Sequence, residues 1–330
     1  MGTRNISMKV LANDGISNSG REALEKAGFE VLDIRVAQEQ LIPYINEKEV
    51  TVLLVRSATQ VTKAVLNSCP SLKIIGRGGV GMDNIEVDYA RSKGLFVINT
   101  PAASSSSVAE LVFAHLFTGV RFLHDANRNM PLEGDSNFSK LKKAYANGME
   151  LRDKTLGIIG FGRIGMATAR IALGLGMKVL FVDPMLEEAT VTVPFYDGRS
   201  LSFDLQGTPF ETLLQTSDFI SLHVPAQKSY IIGKKEFELM KDGVGIVNAA
   251  RGGVLDEVAL VDALETRKVA FAGLDVFESE PNPEIRILMH PDISLTPHIG
   301  GATTEAQDRI GQELAAQVIA LYKLPLGKTN

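Results

Sequence analysis

The chain has 330 residues, 45% apolar and 22% charged, a globular composition long enough for roughly two ordinary cores. A formal net charge of -5 argues against a nucleic-acid partner, whose phosphates select a basic face; the basic run at 140–143 reads as solvated surface. A single cysteine, Cys69, excludes an intramolecular disulfide and fits a reducing, cytoplasmic compartment, and no apolar run approaches the ~18 residues of a membrane span.

Residues 1–7 are polar, lack the apolar core of a signal peptide and read as a flexible extension. Apolar runs at 8–12, 30–34, 52–56, 72–75 and 95–99 predict strands, with helical spacing between them, as over 19–27 and 62–68. Residues 101–150 break the rhythm with a long helix over about 107–126, for which Ser104 to Ser107 supply N-cap candidates, and then a polar segment. The strand pattern restarts at 156–159, 178–182, 219–223, 245–248, 270–274 and 293–295, and an amphipathic helix over 302–324 ends the chain. Continuous apolar strands alternating with helices predict an α/β protein with two doubly wound parallel sheets. One stretch departs from this. Asp197-Gly198 between the arms 191–196 and 199–205 predicts a two-residue hairpin, with Pro194 marking an edge strand.

The pattern G-x-G-x-x-G occurs twice and is weak by itself. The first copy, Gly76, Gly78 and Gly81, is followed by a strand ending in Asn99 and Thr100, with no carboxylate for a ribose. The second copy is Gly160, Gly162 and Gly165, between the strand at 156–159 and a helix over 163–174. The next strand ends at Asp183, 18 residues past Gly165 and close to the expected spacing of ~20. Gly160 permits the tight turn, Gly162 lets the backbone approach a pyrophosphate, and Gly165 allows close helix–strand packing. The helix N-terminus offers free N–H groups to the phosphates. Asp183 accepts the ribose hydroxyls and repels a 2′-phosphate, which selects NAD over NADP. Further on, His223-Val224-Pro225 closes a strand and borders the cofactor through its backbone.

Arg251, Asp275 and His298 each end a predicted strand, and Glu280 lies just beyond one, on the sheet edge where doubly wound folds bind ligands. Hydride chemistry at C2 of a hydroxy acid needs a cation for the carboxylate and the C2 oxygen, and the Arg fork serves both. It needs a group titrating near neutrality to carry the hydroxyl proton, for which His is suited. A nearby carboxylate orients such a histidine and favours its charged form.

With these residues, and with Arg56-Ser57-Ala58-Thr59, Gly76–Asn84, Asn99-Thr100-Pro101, Asn248–Gly253 and Pro297–Gly301, the chain resembles the D-isomer-specific 2-hydroxyacid dehydrogenases from Met8 to about Leu324. Within them it looks most like the phosphoglycerate dehydrogenases. The resemblance implies a catalytic set of Arg251, Glu280 and His298. It implies a nicotinamide contact by Asp275, and a cofactor lining that includes Arg163, Ile164, Ala249, Ala250, Arg251, His298 and Gly300. The first glycine loop becomes the substrate loop, in which Gly78 and Gly79 offer N–H groups to a carboxylate beside Arg56, Ser57 and Arg77. It further implies a Rossmann NAD domain, 102–297, inserted in a flavodoxin-like substrate domain, 1–101 and 298–330. A homodimer would form largely through the nucleotide domains and the region 101–150.

Against the usual family pattern, the hairpin at 191–205 reads as an insertion. Many phosphoglycerate dehydrogenases sense serine through a C-terminal domain; the sequence to Asn330 shows none, so serine feedback by that route is not expected. The substrate stays open between 3-phosphoglycerate, at the first step of serine biosynthesis, and the substrates of glyoxylate or hydroxypyruvate reductases. A non-metabolic reading, an NAD(H)-sensing corepressor, shares the same residues. His115, His124 and His290 read as packing or surface residues, and no Cys/His spacing marks a metal site.

Overall fold

The computed structural model describes residues 8–323, so the extension at 1–7 and the end of the last helix at Leu324 lie outside the described residues. The chain divides into two compact units, one of residues 8–104 and 301–323, the other Ser105–Gly300.

The first unit holds β1 (Met8–Ala12), β2 (Phe29–Leu32), β3 (Val52–Val55), β4 (Ile74–Arg77) and β5 (Phe96–Asn99). They form a parallel sheet in the order β2-β1-β3-β4-β5, the flavodoxin-like arrangement. Side chains alternate across it. Val10, Ala12 and Leu54 pack with Leu314 and Val318 of the helix Thr304–Lys323, while Leu11 and Leu53 pack on the other face with Ile45 and Val65. Burial on both faces explains the unbroken apolar run of β3. The helix Asn18–Lys26 meets Thr304–Lys323 glycine to glycine, for a Cβ on Gly20 would fall 2.5 Å from the Gly311 backbone.

The second unit carries β6 (Thr155–Ile159), β7 (Lys178–Val182), β8 (Glu188–Pro194), β9 (Ser200–Gln206), β10 (Phe219–Leu222), β11 (Val244–Asn248), β12 (Val269–Leu274) and β13 (Ile293–Leu295). Six of them form a parallel sheet in the order β13-β12-β11-β10-β6-β7. The order reverses at β6, which places the glycine loop at the switch point. The helix Ser105–Val120 packs on this sheet and buries Val112, Phe113 and Leu116 against Leu156, Val247 and Phe271.

Two local expectations change. The long helix stops at Val120 because Phe122 takes a left-handed backbone (φ 56), and a second helix, Leu123–Glu133, leaves at 55°. The hairpin is antiparallel, but its turn spans five residues. Phe195 N donates to Arg199 O at 2.8 Å, and Gly198 N to Phe195 O at 3.0 Å. Pro194 closes β8, where a missing N–H costs the ladder least. The ribbon is anchored by Val191, buried in the core of the unit, with Leu186, Ala189 and Leu205 half-buried against the same core. No single helix among the described residues is long and apolar enough to cross a membrane.

Candidate active site

The nucleotide cradle begins where β6 ends. Gly160 has φ +89, and a Cβ there would lie 2.5 Å from His223 O. A Cβ on Gly165 would lie 2.3 Å from Gly160 O, so both glycines are required by close backbone approach. Gly162 differs, since a Cβ there would meet nothing within 4 Å. It is the N-cap of the helix Arg163–Gly174, no side chain caps that helix, and the space beyond it is open. An uncapped helix N-terminus facing open space fits a pyrophosphate. Asp183, one residue past β7, reaches this loop: Oδ2 accepts from Phe161 N at 2.7 Å and Oδ1 from Met185 N at 2.9 Å. The residues present therefore fit a dinucleotide, with Asp183 at the ribose end and Arg163 and Ile164 in the first helical turn.

The next strand supplies His223-Val224-Pro225. His223 Nε2 lies 2.8 Å from Ser221 Oγ and 3.3 Å from Thr168 Oγ1. Burial pushes its pKa down to about 3, so the ring is neutral at physiological pH. Its carbonyl packs on Gly160, which ties this segment to the cradle.

β11 ends in Asn248, buried, whose side chain shapes the loop that follows. Its Nδ2 donates to Arg251 O at 3.0 Å, and its Oδ1 accepts from Ala250 N at 3.1 Å. Arg251 Nη1 donates to Ala250 O at 2.6 Å. A Cβ on Gly252 would lie 1.8 Å from Phe277 O, so the Arg251 loop abuts the segment that leads to Glu280. Glu280 Oε1 accepts from Phe277 N at 3.0 Å, and Oε2 lies 2.8 Å from His298 Nδ1. An ionised carboxylate only accepts, so Nδ1 carries the hydrogen and Nε2 is left for chemistry. Next to Glu280, Glu278 Oε1 accepts from Glu257 N at 3.0 Å while Glu257 Oε1 accepts from Glu278 N at 2.8 Å. Burial and the neighbouring carboxylates of Glu278, Glu284 and Glu280 push the Glu257 pKa up.

His298 has φ 54, a backbone conformation that L residues rarely adopt and that surrounding structure must hold. Asp275, at the end of β12 and 1% exposed, holds it. Its carbonyl accepts from His298 N at 2.9 Å. Its Oδ1 accepts from Ile299 N at 2.7 Å and from Thr296 Oγ1 at 2.7 Å, and its Oδ2 accepts from Gly300 N at 2.8 Å.

In the first unit, Arg56 follows β3 and Arg77 ends β4; Val55 and Arg77 are partners in the register, so the two arginines end neighbouring strands. Arg56 lines a cavity of about 210 Å³ with Ser17, Gly78 and Ile310. Burial lowers its pKa and nearby Asp14 opposes that, and its guanidinium has no hydrogen-bond or ion-pair partner among the described residues. Ser57 stands beside it, exposed. The Gly78 and Gly79 N–H groups are committed inside the unit, to Val55 O at 2.8 Å and Thr100 Oγ1 at 2.8 Å. A carboxylate at this loop would have to displace them.

Sequence spacing brought the cradle and the Arg251, Glu280 and His298 segments to notice, but not the residues that hold them. Thr296 and the second use of Asp275 carry no local signal, and Asn248, though it opens the Asn248–Gly253 segment, shows its hold on the loop only in the fold. His115, read as packing or surface, is buried with its ring nitrogens 2.9 Å from Ser294 Oγ and 3.1 Å from Thr296 Oγ1. Cys69 is buried and its thiol pKa is pushed up to about 11, which makes it inert.

Residues 113–300 match the family model described as D-isomer specific 2-hydroxyacid dehydrogenase, NAD binding domain. The chain is similar to a hydroxypyruvate reductase of Thermotoga maritima, 42% identical over 316 residues, which covers 94% of this chain and 97% of that protein. It is similar to a D-3-phosphoglycerate dehydrogenase of Archaeoglobus fulgidus, 39% identical over 320 residues; the match covers 96% of this chain but only 58% of that longer protein. Among solved structures, a glyoxylate reductase from Paecilomyes thermophila superposes with a TM-score of 0.78 at 30% identity, covering 97% of this chain and 96% of that one. With a dinucleotide cradle, an Arg251 loop and a Glu280–His298 pair at one sheet edge, the chain belongs to the D-isomer specific 2-hydroxyacid dehydrogenase family and is an NAD-dependent oxidoreductase.

Proposed function

We propose that the chain interconverts 3-phosphoglycerate and 3-phosphohydroxypyruvate, a step of serine synthesis, as a cytoplasmic homodimer. The observation that carries this reading is the pair Arg56 and Arg77 on neighbouring strand ends. A substrate with a carboxylate and a phosphate needs more cationic groups than Arg251 alone. NADH, when bound, would supply the hydride to C2. Arg251 holds the substrate carboxylate and polarises the C2 oxygen. His298 Nε2 gives its proton to that oxygen in the oxo-acid direction and takes it back in the other. Glu280 keeps Nδ1 protonated and fixes the ring plane. Asp183 favours NAD over the 2′-phosphorylated cofactor by charge. The second subunit would cover the apolar side chains left exposed on the helices Leu123–Glu133 and Phe138–Ala144, among them Leu132 and Phe138.

A second reading, hydroxypyruvate reduction, is favoured by the Thermotoga maritima relative, matched over nearly its whole length. Initial rates of NADH oxidation with 3-phosphohydroxypyruvate and with hydroxypyruvate separate the two. The phosphorylated substrate is expected to show the higher kcat/KM, and Arg77→Ala to cost it more, by about 1.5–3 kcal/mol for a lost charge-assisted hydrogen bond. Equal efficiency, or an equal loss for both, removes the phosphoglycerate assignment. NADH binding without turnover of any 2-oxo acid would favour the corepressor reading.

A further inference from the structure

The helix Ser105–Val120 grips the His298 loop at two points. Ser107 Oγ, buried, donates to Gly300 O at 2.6 Å. Two turns later, about 12 Å along the axis, the His115 ring sits beside Thr296 and Ser294. The directions of these bonds follow from the chemistry of the groups. Asp275 Oδ1 only accepts, so Thr296 Oγ1 donates its one hydrogen there. Toward His115 the same oxygen can then only accept, so His115 Nε2 carries the hydrogen. Nδ1 is left bare and accepts from Ser294 Oγ. The neutral Nε2–H tautomer satisfies every atom of this chain of bonds, and burial, which lowers the His115 pKa, favours that state.

The place of the ring is built. A Cβ on Gly273 of β12 would fall 2.5 Å from His115 Cβ and 2.7 Å from Cγ, so only glycine at that strand position admits it. The bonds run from Ser294 through His115 and Thr296 to Asp275, which in turn holds the amides of Ile299 and Gly300 around left-handed His298.

We propose that His115 is a positioning residue for His298. Through Thr296 it fixes the orientation of the Asp275 carboxylate, and with Ser107 at the far end it holds the loop in the backbone conformation that His298 requires. The inference rests on the acid–base reading of His298, but its structural half is testable without turnover.

The experiment compares His115→Leu, Thr296→Val and His115→Gln with the parent protein. It reads kcat, KM for NADH, and amide hydrogen exchange at Ile299 and Gly300. Leucine removes the donor to Thr296, and valine removes the relay hydroxyl while keeping the side-chain shape. Each is expected to lower kcat about tenfold and to speed exchange at the two amides by a similar factor, with a smaller effect on KM for NADH through Asp275 and Gly300. Glutamine retains an N–H that can reach Thr296, so His115→Gln is expected to recover most of both losses. If His115→Leu fails to fold, Thr296→Val and His115→Gln decide alone. Unchanged kcat and exchange in Thr296→Val overturn the proposal, as does a His115→Gln protein no better than Thr296→Val. If the parent turns over no 2-oxo acid, the acid–base reading falls, and exchange at Ile299 and Gly300 still decides the clamp.

Discussion

Asp275 and His298 meet through the main chain and not through their side chains: the His298 N–H donates to the Asp275 carbonyl at 2.9 Å, while the Asp275 carboxylate grips the two amides that follow His298. A residue that ends one strand thus shapes the backbone that follows the next. Among the described residues the His298 ring is held by Glu280, so orientation of the loop and orientation of the ring are separate tasks.

That separation predicts distinct effects. His298→Ala is expected to lower kcat by about 10²–10⁴, the usual worth of general acid–base catalysis. Glu280→Gln retains an acceptor for Nδ1 but loses the charge, and a smaller fall in kcat is expected. Stopped-flow or steady-state NADH oxidation checks both. The NADH dissociation constant of Glu280→Gln from fluorescence titration is expected to stay near the parent value, because Glu280 is not among the residues read as lining the cofactor. A Glu280→Gln enzyme of full activity would remove Glu280 from the proton-holding role.

Asp183 anchors the Phe161 amide, and the proposed function also gives it the choice of cofactor. Asp183→Ala is expected to weaken NADH by about tenfold and to leave NADPH unchanged or tighter. Titrating both cofactors against the parent and the variant gives the selectivity ratio. A variant that still prefers NADH by the parent ratio would show that selectivity comes from another group.

His223 links stability to pH. Its folded pKa of about 3 lies below the ordinary 6.5, so the folded chain refuses a proton that the unfolded chain accepts. The unfolded state therefore gains as pH falls below about 6.5, by up to about 1.4 kcal/mol per unit, until about pH 3. His115, also lowered, acts in the same direction. Urea midpoints measured between pH 7.5 and pH 5 should fall, and His223→Asn should flatten the slope. A slope equal to that of the parent would show that His223 is not the group responsible.

Gly252 fixes the distance between the Arg251 loop and the segment carrying Glu280. A Cβ at 1.8 Å from a carbonyl oxygen cannot be accommodated, so Gly252→Ala must push these segments apart. Since a displacement near 1 Å costs about 10² in rate, kcat is expected to fall by about that factor while the protein stays folded. Circular dichroism with steady-state kinetics tests this; a fully active Gly252→Ala enzyme would mean that the two segments need not touch.

Glu257 provides the opposite electrostatic case. Its folded pKa is raised by burial and by neighbouring carboxylates, so its ionised form is disfavoured as pH rises above the ordinary 4.5. Glu257→Gln keeps an acceptor for the Glu278 amide and removes the charge. It is expected to raise stability at pH 7.5 by about 1 kcal/mol and to have less effect at pH 4.5. Thermal unfolding at the two pH values checks the sign, and a destabilised variant at pH 7.5 would contradict it.

The parallel α/β framework, the glycine cradle, Asp183, and the segments that carry Arg251, Glu280 and His298 are legible in the order of the residues. These are local patterns. Strands buried on two faces write unbroken apolar runs, and a dinucleotide turn needs its glycines at fixed spacing. How those segments are held depends on contacts between distant parts of the chain. Thr296 and His115 stand far apart in the chain, and nothing near either one records the bond between them. The five-residue hairpin turn was missed because Asp197-Gly198 fits a tighter turn, and Arg199 paired back onto Asp197 instead. The break at Phe122 was missed because a left-handed residue leaves no mark on apolar spacing. The Gly78 and Gly79 amides, expected to be free for a carboxylate, are bonded to Val55 and Thr100, since which partner an amide finds depends on the strand that folding places beside it.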